Sequence, residues 1–167
     1  MAKKKGIGIS SIVALAQVVL GIVAFCILFA KAIKWELNSG ISFVDNLVNK
    51  NVTVEYTGFE AFLGKEDGFN ATFGGIMVVI LLAAVVVLAL LKIFLPKLSK
   101  LFNFIIVAAS IVTAIFLFCG TTGLMISIDD VKTSDLNLSL LAGAIVPAII
   151  AIVNAAASLV DVLVLDK

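Results

Sequence analysis

Apolar and polar positions along this chain sort into four long apolar runs joined by three polar links. The runs are Ile7 to Ala30, Phe73 to Leu95, Phe102 to Ile128 and Leu138 to Val160. Each is as long as the roughly 20 apolar residues with which a helix crosses a bilayer's hydrocarbon core. The predicted elements are four transmembrane helices, over 7–37, 72–95, 101–128 and 137–161. They belong to a single unit, 1–167, with an outer loop over 38–71. The fold class is therefore an all-α membrane protein, a four-transmembrane-helix bundle.

Between the runs the pattern changes. The first helix is carried on through Ala30 to Leu37, with Lys31 and Lys34 snorkelling to the interface and Trp35 as an aromatic anchor. Asn38-Ser39-Gly40 reads as its stop. In the outer loop, Ile41, Val44, Leu47 and Val48 recur at helical spacing. Val52 to Thr57 alternates and is rich in β-branched residues, which predicts a strand. A lone strand is unstable, so it must pair with another segment or another subunit. Phe59, Phe62 and Leu63 predict an apolar patch on the membrane surface. The loop is thus a small extracellular subdomain containing a short strand. Pro96 ends the second helix and leaves a short link, so the second and third helices form an antiparallel hairpin. Asp129 to Asn137 is a short acidic second outer loop, with Ser134-Asp135 as the cap of the last helix.

Within the last run, Ala144, Ala148, Ala151, Ala155 and Ser158 are spaced alternately by four and three, so they form one stripe. Small stripes let membrane helices approach closely. Pro147, Asn154 and Asp161 run beside it at intervals of seven. The first run has a matching stripe of Ser10, Ala14, Gln17, Gly21 and Ala24. The third offers Asn103, Ser110, Thr113 and Thr121. The second has little beyond Gly74, Gly75, Ala83 and Ala84, and is expected to be the most lipid-exposed.

Charge sets the expected threading. Lys3, Lys4 and Lys5 precede the first run. Lys92, Lys97 and Lys100 are assigned to the link between the second and third helices, and Lys167 closes the chain. The outer loop holds Glu36, Asp45, Glu55, Glu60, Glu66 and Asp67, and the second loop holds Asp129, Asp130 and Asp135. By the positive-inside rule both termini are cytoplasmic, N-in/C-in, in a plasma membrane. The lysine-rich start resembles a signal peptide, but its apolar run exceeds a typical h-region and reads as an uncleaved first helix.

Composition then removes function classes. The chain is 62% hydrophobic with a net charge of +1, too little basic excess for a nucleic-acid partner. It has no His, hence neither the commonest metal ligand nor the commonest general base. All basic residues are Lys, a bias that points to an AT-rich bacterial genome. Cys26 and Cys119 both fall inside runs and read as small hydrophobes. No Cys pair, phosphate loop or nucleophile–base couple appears, so no catalytic residue, cofactor or metal is expected. Asn51, Asn70 and Asn137 each open an Asn-x-Ser/Thr triplet; in a bacterial protein these are chance matches.

The polar residues inside the runs admit two readings. Gln17, Ser110, Asn154 and Ser158 could line a polar path. They could also be interhelical glue, at about 0.6 kcal/mol per bond. With Lys92 placed in the link, no charge lies deep in a span, where ion relays usually need one. Asp161 is expected to reach headgroups or Lys92. Glue is therefore preferred.

The layout resembles the tetraspan pattern shared by claudins, without their Gly-Leu-Trp and paired-cysteine loop signature. Tyr56-Thr57-Gly58-Phe59-Glu60-Ala61-Phe62-Leu63-Gly64 more closely resembles a stretch of small four-helix membrane proteins of low-GC bacteria. That resemblance implies the architecture and no activity. The expected protein is non-enzymatic. It works by self-association as a homo-oligomer, or as a structural or accessory subunit beside other membrane proteins. The alternative is a subunit of an oligomeric channel or small transporter. Assembly is assigned to the small faces, including Gly21 and Ala151, and Ala151→Leu is expected to weaken it. Partner contact is assigned to Trp35, Tyr56, Phe59 and Phe62.

Overall fold

The apolar runs fold as helices because a backbone in lipid has no water to satisfy its polar groups and must pair internally. The computed structural model describes residues 9–36, 53–64, 69–128 and 137–165. Its elements in chain order are helix α1 (Ile9–Ile27), strand β1 (Lys31–Glu36), strand β2 (Thr53–Thr57) and short helix α2 (Gly58–Leu63). Then come strand β3 (Phe69–Asn70), helix α3 (Phe73–Phe94), a 3-10 turn (Pro96–Leu98) and helix α4 (Ser99–Phe118). Strand β4 (Ser127–Ile128), strand β5 (Asn137–Leu140), helix α5 (Ala142–Val160) and a π-helical turn (Asp161–Leu165) complete it. Among the described residues, four helices are long and apolar enough to cross a membrane.

The four long helices alternate in direction and form a ring in which α1 touches α3, α3 touches α4, α4 touches α5, and α5 returns to α1. Large apolar side chains face outward: Ile12, Leu15 and Val19 on α1, Ile80 on α3, Phe104 and Ile115 on α4, Ile149 and Ile152 on α5. Small and polar ones face in. This is the arrangement that lipid selects, because burying large apolar chains gains nothing there while close backbone packing does. α1 and α3 bury less of their length than α4 and α5, so the second predicted helix shares its lipid exposure with the first.

Three element boundaries differ from the sequence expectation. Residues 31–36 are a strand, not an extension of the first helix: α1 stops at Ile27 and the chain turns through Leu28 to Ala30. β1 is the centre of a three-stranded antiparallel sheet ordered β2-β1-β5. Its register pairs Trp35 with Val54 on one side and with Leu138 on the other. A bulge between Lys31 and Ile33 breaks the alternation, which is how consecutive Ala32 and Ile33 are both buried. The predicted strand over 52–57 thus finds its partner within the chain. The third helix ends at Phe118 rather than 128, followed by turns and β4, which pairs with β3. The last begins at Ala142 rather than 137, because 137–140 is β5. The predicted amphipathic helix at 41–48 and the cap at Ser134-Asp135 lie outside the described residues.

The sheet seats on one end of the bundle. α2 closes its underside through a capping box: Glu60 N–H donates to Thr57 Oγ1 at 3.2 Å, and Thr57 N–H donates to Glu60 Oε2 at 3.0 Å. Phe62 of α2 is fully buried among Val78, Leu82, Leu117 and Met125, the apolar tier beneath the sheet. Backbone contact there is close. A Cβ on Gly75 would stand 2.1 Å from the Phe62 carbonyl oxygen, so only glycine lets α3 start against α2. Thr72 caps α3 by accepting from Gly75 N–H and donates to the Met125 carbonyl at 2.9 Å, tying that helix start to the turn after α4.

Candidate functional site

At the other end of the bundle, the end of the Pro96 turn, polar side chains from all four long helices meet. Lys92 lies in the last turn of α3, inside the helix and not in the link to which the sequence assigned it. It is 3% exposed and forms an ion pair with Asp161, itself 1% exposed. Asp161 stands where α5 passes into its π-helical turn, a local widening that redirects side chains and recurs at functional sites. The pair stands at the ends of α3 and α5, so the correction concerns Lys92, which is a buried helix residue and not a link residue. Of the two destinations expected for Asp161, it takes Lys92.

The surrounding groups are matched to the pair. The Lys92 ammonium donates to Asn103 Oδ1 at 2.8 Å and to Gln17 Oε1 at 3.3 Å, besides its contact with Asp161 Oδ2. Its three protons therefore have three oxygen acceptors. Asp161 Oδ2 also accepts from Asn103 Nδ2 at 3.0 Å and from Ser10 Oγ at 3.1 Å. Gln17 continues the network inward: its Nε2 donates to Ser158 Oγ at 2.6 Å and to the Asn154 carbonyl at 3.3 Å. Charges buried in a low-dielectric interior persist only with partners and hydrogen bonds of this completeness. Three buried oxygens have no hydrogen-bond partner among the described residues: Ser110 Oγ, Asn154 Oδ1 and Asp161 Oδ1.

Of the residues picked from the sequence, Gln17, Asn154, Ser158 and Asp161 come together here, and Ser110 lies in the same interior. The sequence pattern places Lys92 in the link and gives Ser10 and Asn103 no role beyond their helix faces. The signal for Lys92 is its position inside the second apolar run, before Pro96.

Ala144, Ala148, Ala151 and Ala155 are all buried in the chain's own bundle, where α5 is flanked by α1 and α4. Gly21 is buried where α1 approaches α3; a Cβ there would stand 2.6 Å from Val86 Cγ2. These small faces serve intramolecular packing and are covered, so they do not present themselves to a second copy. Ala151→Leu is accordingly expected to lower bundle stability by about 1–3 kcal/mol through overpacking, while leaving particle mass unchanged. Thermal unfolding and light scattering on the same sample check both parts.

The outer-loop residues also divide. Phe62 is core and cannot contact a partner. Phe59 is half-buried, edge-on to Phe25 at 5.4 Å and tilted against Phe29 at 4.4 Å. Tyr56 is half-buried beside the same core. Trp35 lies in β1, with its side chain outside the described residues. Lys31 pairs with Glu55 across β1 and β2.

Cys26 is exposed on α1, Cys119 is half-buried after α4, and both are free thiols. Among the described residues no three His, Cys, Asp or Glu side chains converge as a metal site would need. The arrangement can hold helices together and can bind small polar species. Protein-family models, curated proteins and solved structures were all compared with this chain, and none matches.

Proposed function

We propose that this chain is a non-enzymatic multi-pass protein of a bacterial plasma membrane, with both termini cytoplasmic. In this reading it acts as a structural or accessory subunit of a membrane assembly, with copies of itself or with another membrane protein. The carrying observation is the sheet: strands from two separate connections, the one between α1 and α3 and the one between α4 and α5, gather on one end of a charge-locked bundle, with β2 and β5 as its edges. An edge strand offers unpaired backbone groups to a neighbour, and main-chain pairing is a recurrent mode of recognition. Among the described residues Glu36, Glu55 and Glu60 lie at the sheet end beside Lys31 and Lys34, whereas Lys97 and Lys100 lie at the opposite end with no acid in their link, which supports the sheet facing outward. Assembly then runs through the sheet and lipid-facing surfaces, since the small stripes are already covered.

The test is the mass of the protein in nanodiscs, with cysteine crosslinking from Glu55→Cys on β2 in a background lacking Cys26 and Cys119. A multiple of the 17.5 kDa chain, or a co-purifying subunit, with crosslinks through position 55 is the expected result. A lone monomer without crosslinks in native membranes overturns the reading.

The buried Lys92–Asp161 pair and the three unpaired oxygens favour a second reading, a channel or small-transporter subunit, because ionisable groups inside spans often mark ion or proton routes. It predicts flux in liposomes that Asn154→Leu reduces. Flux equal to that of empty liposomes rejects it.

A further inference from the structure

Two of the unpaired oxygens stand at one level of the bundle. Asn103 of α4 and Asp161 of α5 are hydrogen-bonded, and α4 and α5 run antiparallel. Ser110 is seven residues beyond Asn103, and Asn154 is seven before Asp161. At about 1.5 Å per residue, both lie about 10 Å further into the bundle. Ser110 and Asn154 are each at least nine-tenths buried, and neither Ser110 Oγ nor Asn154 Oδ1 has a partner among the described residues.

The usual refuge of a hydroxyl in an apolar helix is the carbonyl one turn back. Thr113, three residues on, takes it: its Oγ1 donates to the Ala109 carbonyl at 2.8 Å. Ser110 does not. A serine hydroxyl both donates and accepts, whereas an amide oxygen only accepts. A ligand shared by the two must donate to Asn154 Oδ1 and exchange a hydrogen bond with Ser110 Oγ. The two unpaired oxygens at this level are both neutral, a poor ligand set for a metal cation. The one carboxylate of the network is already paired with Lys92, whose ammonium is linked to the Asn154 backbone through Gln17. The electrostatics therefore favour a small neutral donor.

We propose that Ser110 and Asn154 form an internal water-binding site between α4 and α5, at the inner end of the polar column that begins at Asp161. The water donates to Asn154 Oδ1 and bridges to Ser110 Oγ, satisfying groups that would otherwise stay unpaired in a buried interior. Toward the sheet the buried side chains are apolar, Ala144, Ala148, Leu117 and Leu82 among them. This site stands whether or not the chain assembles with partners.

The sign of one substitution separates a wet site from a dry one. If Ser110 Oγ were dry and unpaired, Ser110→Ala would remove a buried unsatisfied group and raise the melting temperature. With a bridging water, it deletes one anchor and lowers it, by about 2–4 °C for each kcal/mol lost in a chain of this size. Water-edited solid-state NMR on wild type in bilayers supplies the second readout. Early magnetisation transfer from water to the Asn154 side-chain amide is expected, and its loss in Ser110→Ala. A melting temperature that stays or rises, or a wild-type amide without early transfer, overturns the proposal. Should Ser110→Ala fail to fold, the wild-type transfer decides alone.

Discussion

Asp161→Leu is expected to destabilise the bundle by about 3–5 kcal/mol, the usual loss when one member of a buried ion pair is removed. Lys92 would be left 3% exposed with only the neutral oxygens of Gln17 and Asn103 around it. Neutral hydrogen bonds in membrane bundles average about 0.6 kcal/mol, too little to offset an uncompensated ammonium. Lys92→Met should lose a comparable amount by stranding the carboxylate. Lys92→Met with Asp161→Leu should recover most of either loss, since an apolar pair of similar volume often replaces a buried ion pair without cost. The check is a double-mutant cycle on thermal unfolding in nanodiscs. Additive losses would mean that Lys92 escapes to the aqueous end of α3 and that the two charges are not coupled.

The second large effect is expected at Gly75. In Gly75→Ala the new Cβ would stand 2.1 Å from the Phe62 carbonyl oxygen, with the Phe62 Cα at 2.7 Å. These are backbone atoms, so no rotamer relieves the clash and α2 must move away from α3. Overpacking that side chains can absorb costs about 1–3 kcal/mol; a backbone displacement belongs at or above the top of that range. Moving α2 also withdraws Phe62 from its pocket, so the loss should concentrate at the sheet end. Limited proteolysis should cut the α2 region sooner than wild type, while the Lys92–Asp161 end keeps its amide protection. Unchanged cleavage and melting would show that α2 does not depend on this contact.

What the chain reveals before folding follows from how local each cause is. The long helices are legible because span length is set by the bilayer, and α3 falls within one residue of its predicted ends at both sides. β2 is legible because alternation is a local property. β1 is not: Ala-Lys-Ala-Ile-Lys-Trp-Glu continues a helix acceptably, and what makes it a strand is pairing with 53–57 and 137–140. Lys92 sits so near Pro96 that it reads as a link residue, and only Asp161, from the far end of the chain, explains why it is buried. The alanine stripe of α5 was visible, but its partner was not. A small face looks the same whether it meets a helix of its own chain or of another. Phe62 and Phe59 read alike as a surface patch, and only α3 beneath them decides which is core.

The placement of Asp161 after the last long helix imposes an order on biosynthesis. Lys92 leaves the ribosome with the second span, and its counter-ion follows only when the fourth has been made. Until then the lysine has no acid to neutralise it, and β1 has β2 beside it but still lacks β5. The last span and the strand just before it therefore supply both the missing charge at one end of the bundle and the missing strand at the other. A nascent chain stopped short of it lacks both the partner of Lys92 and the second neighbour of β1.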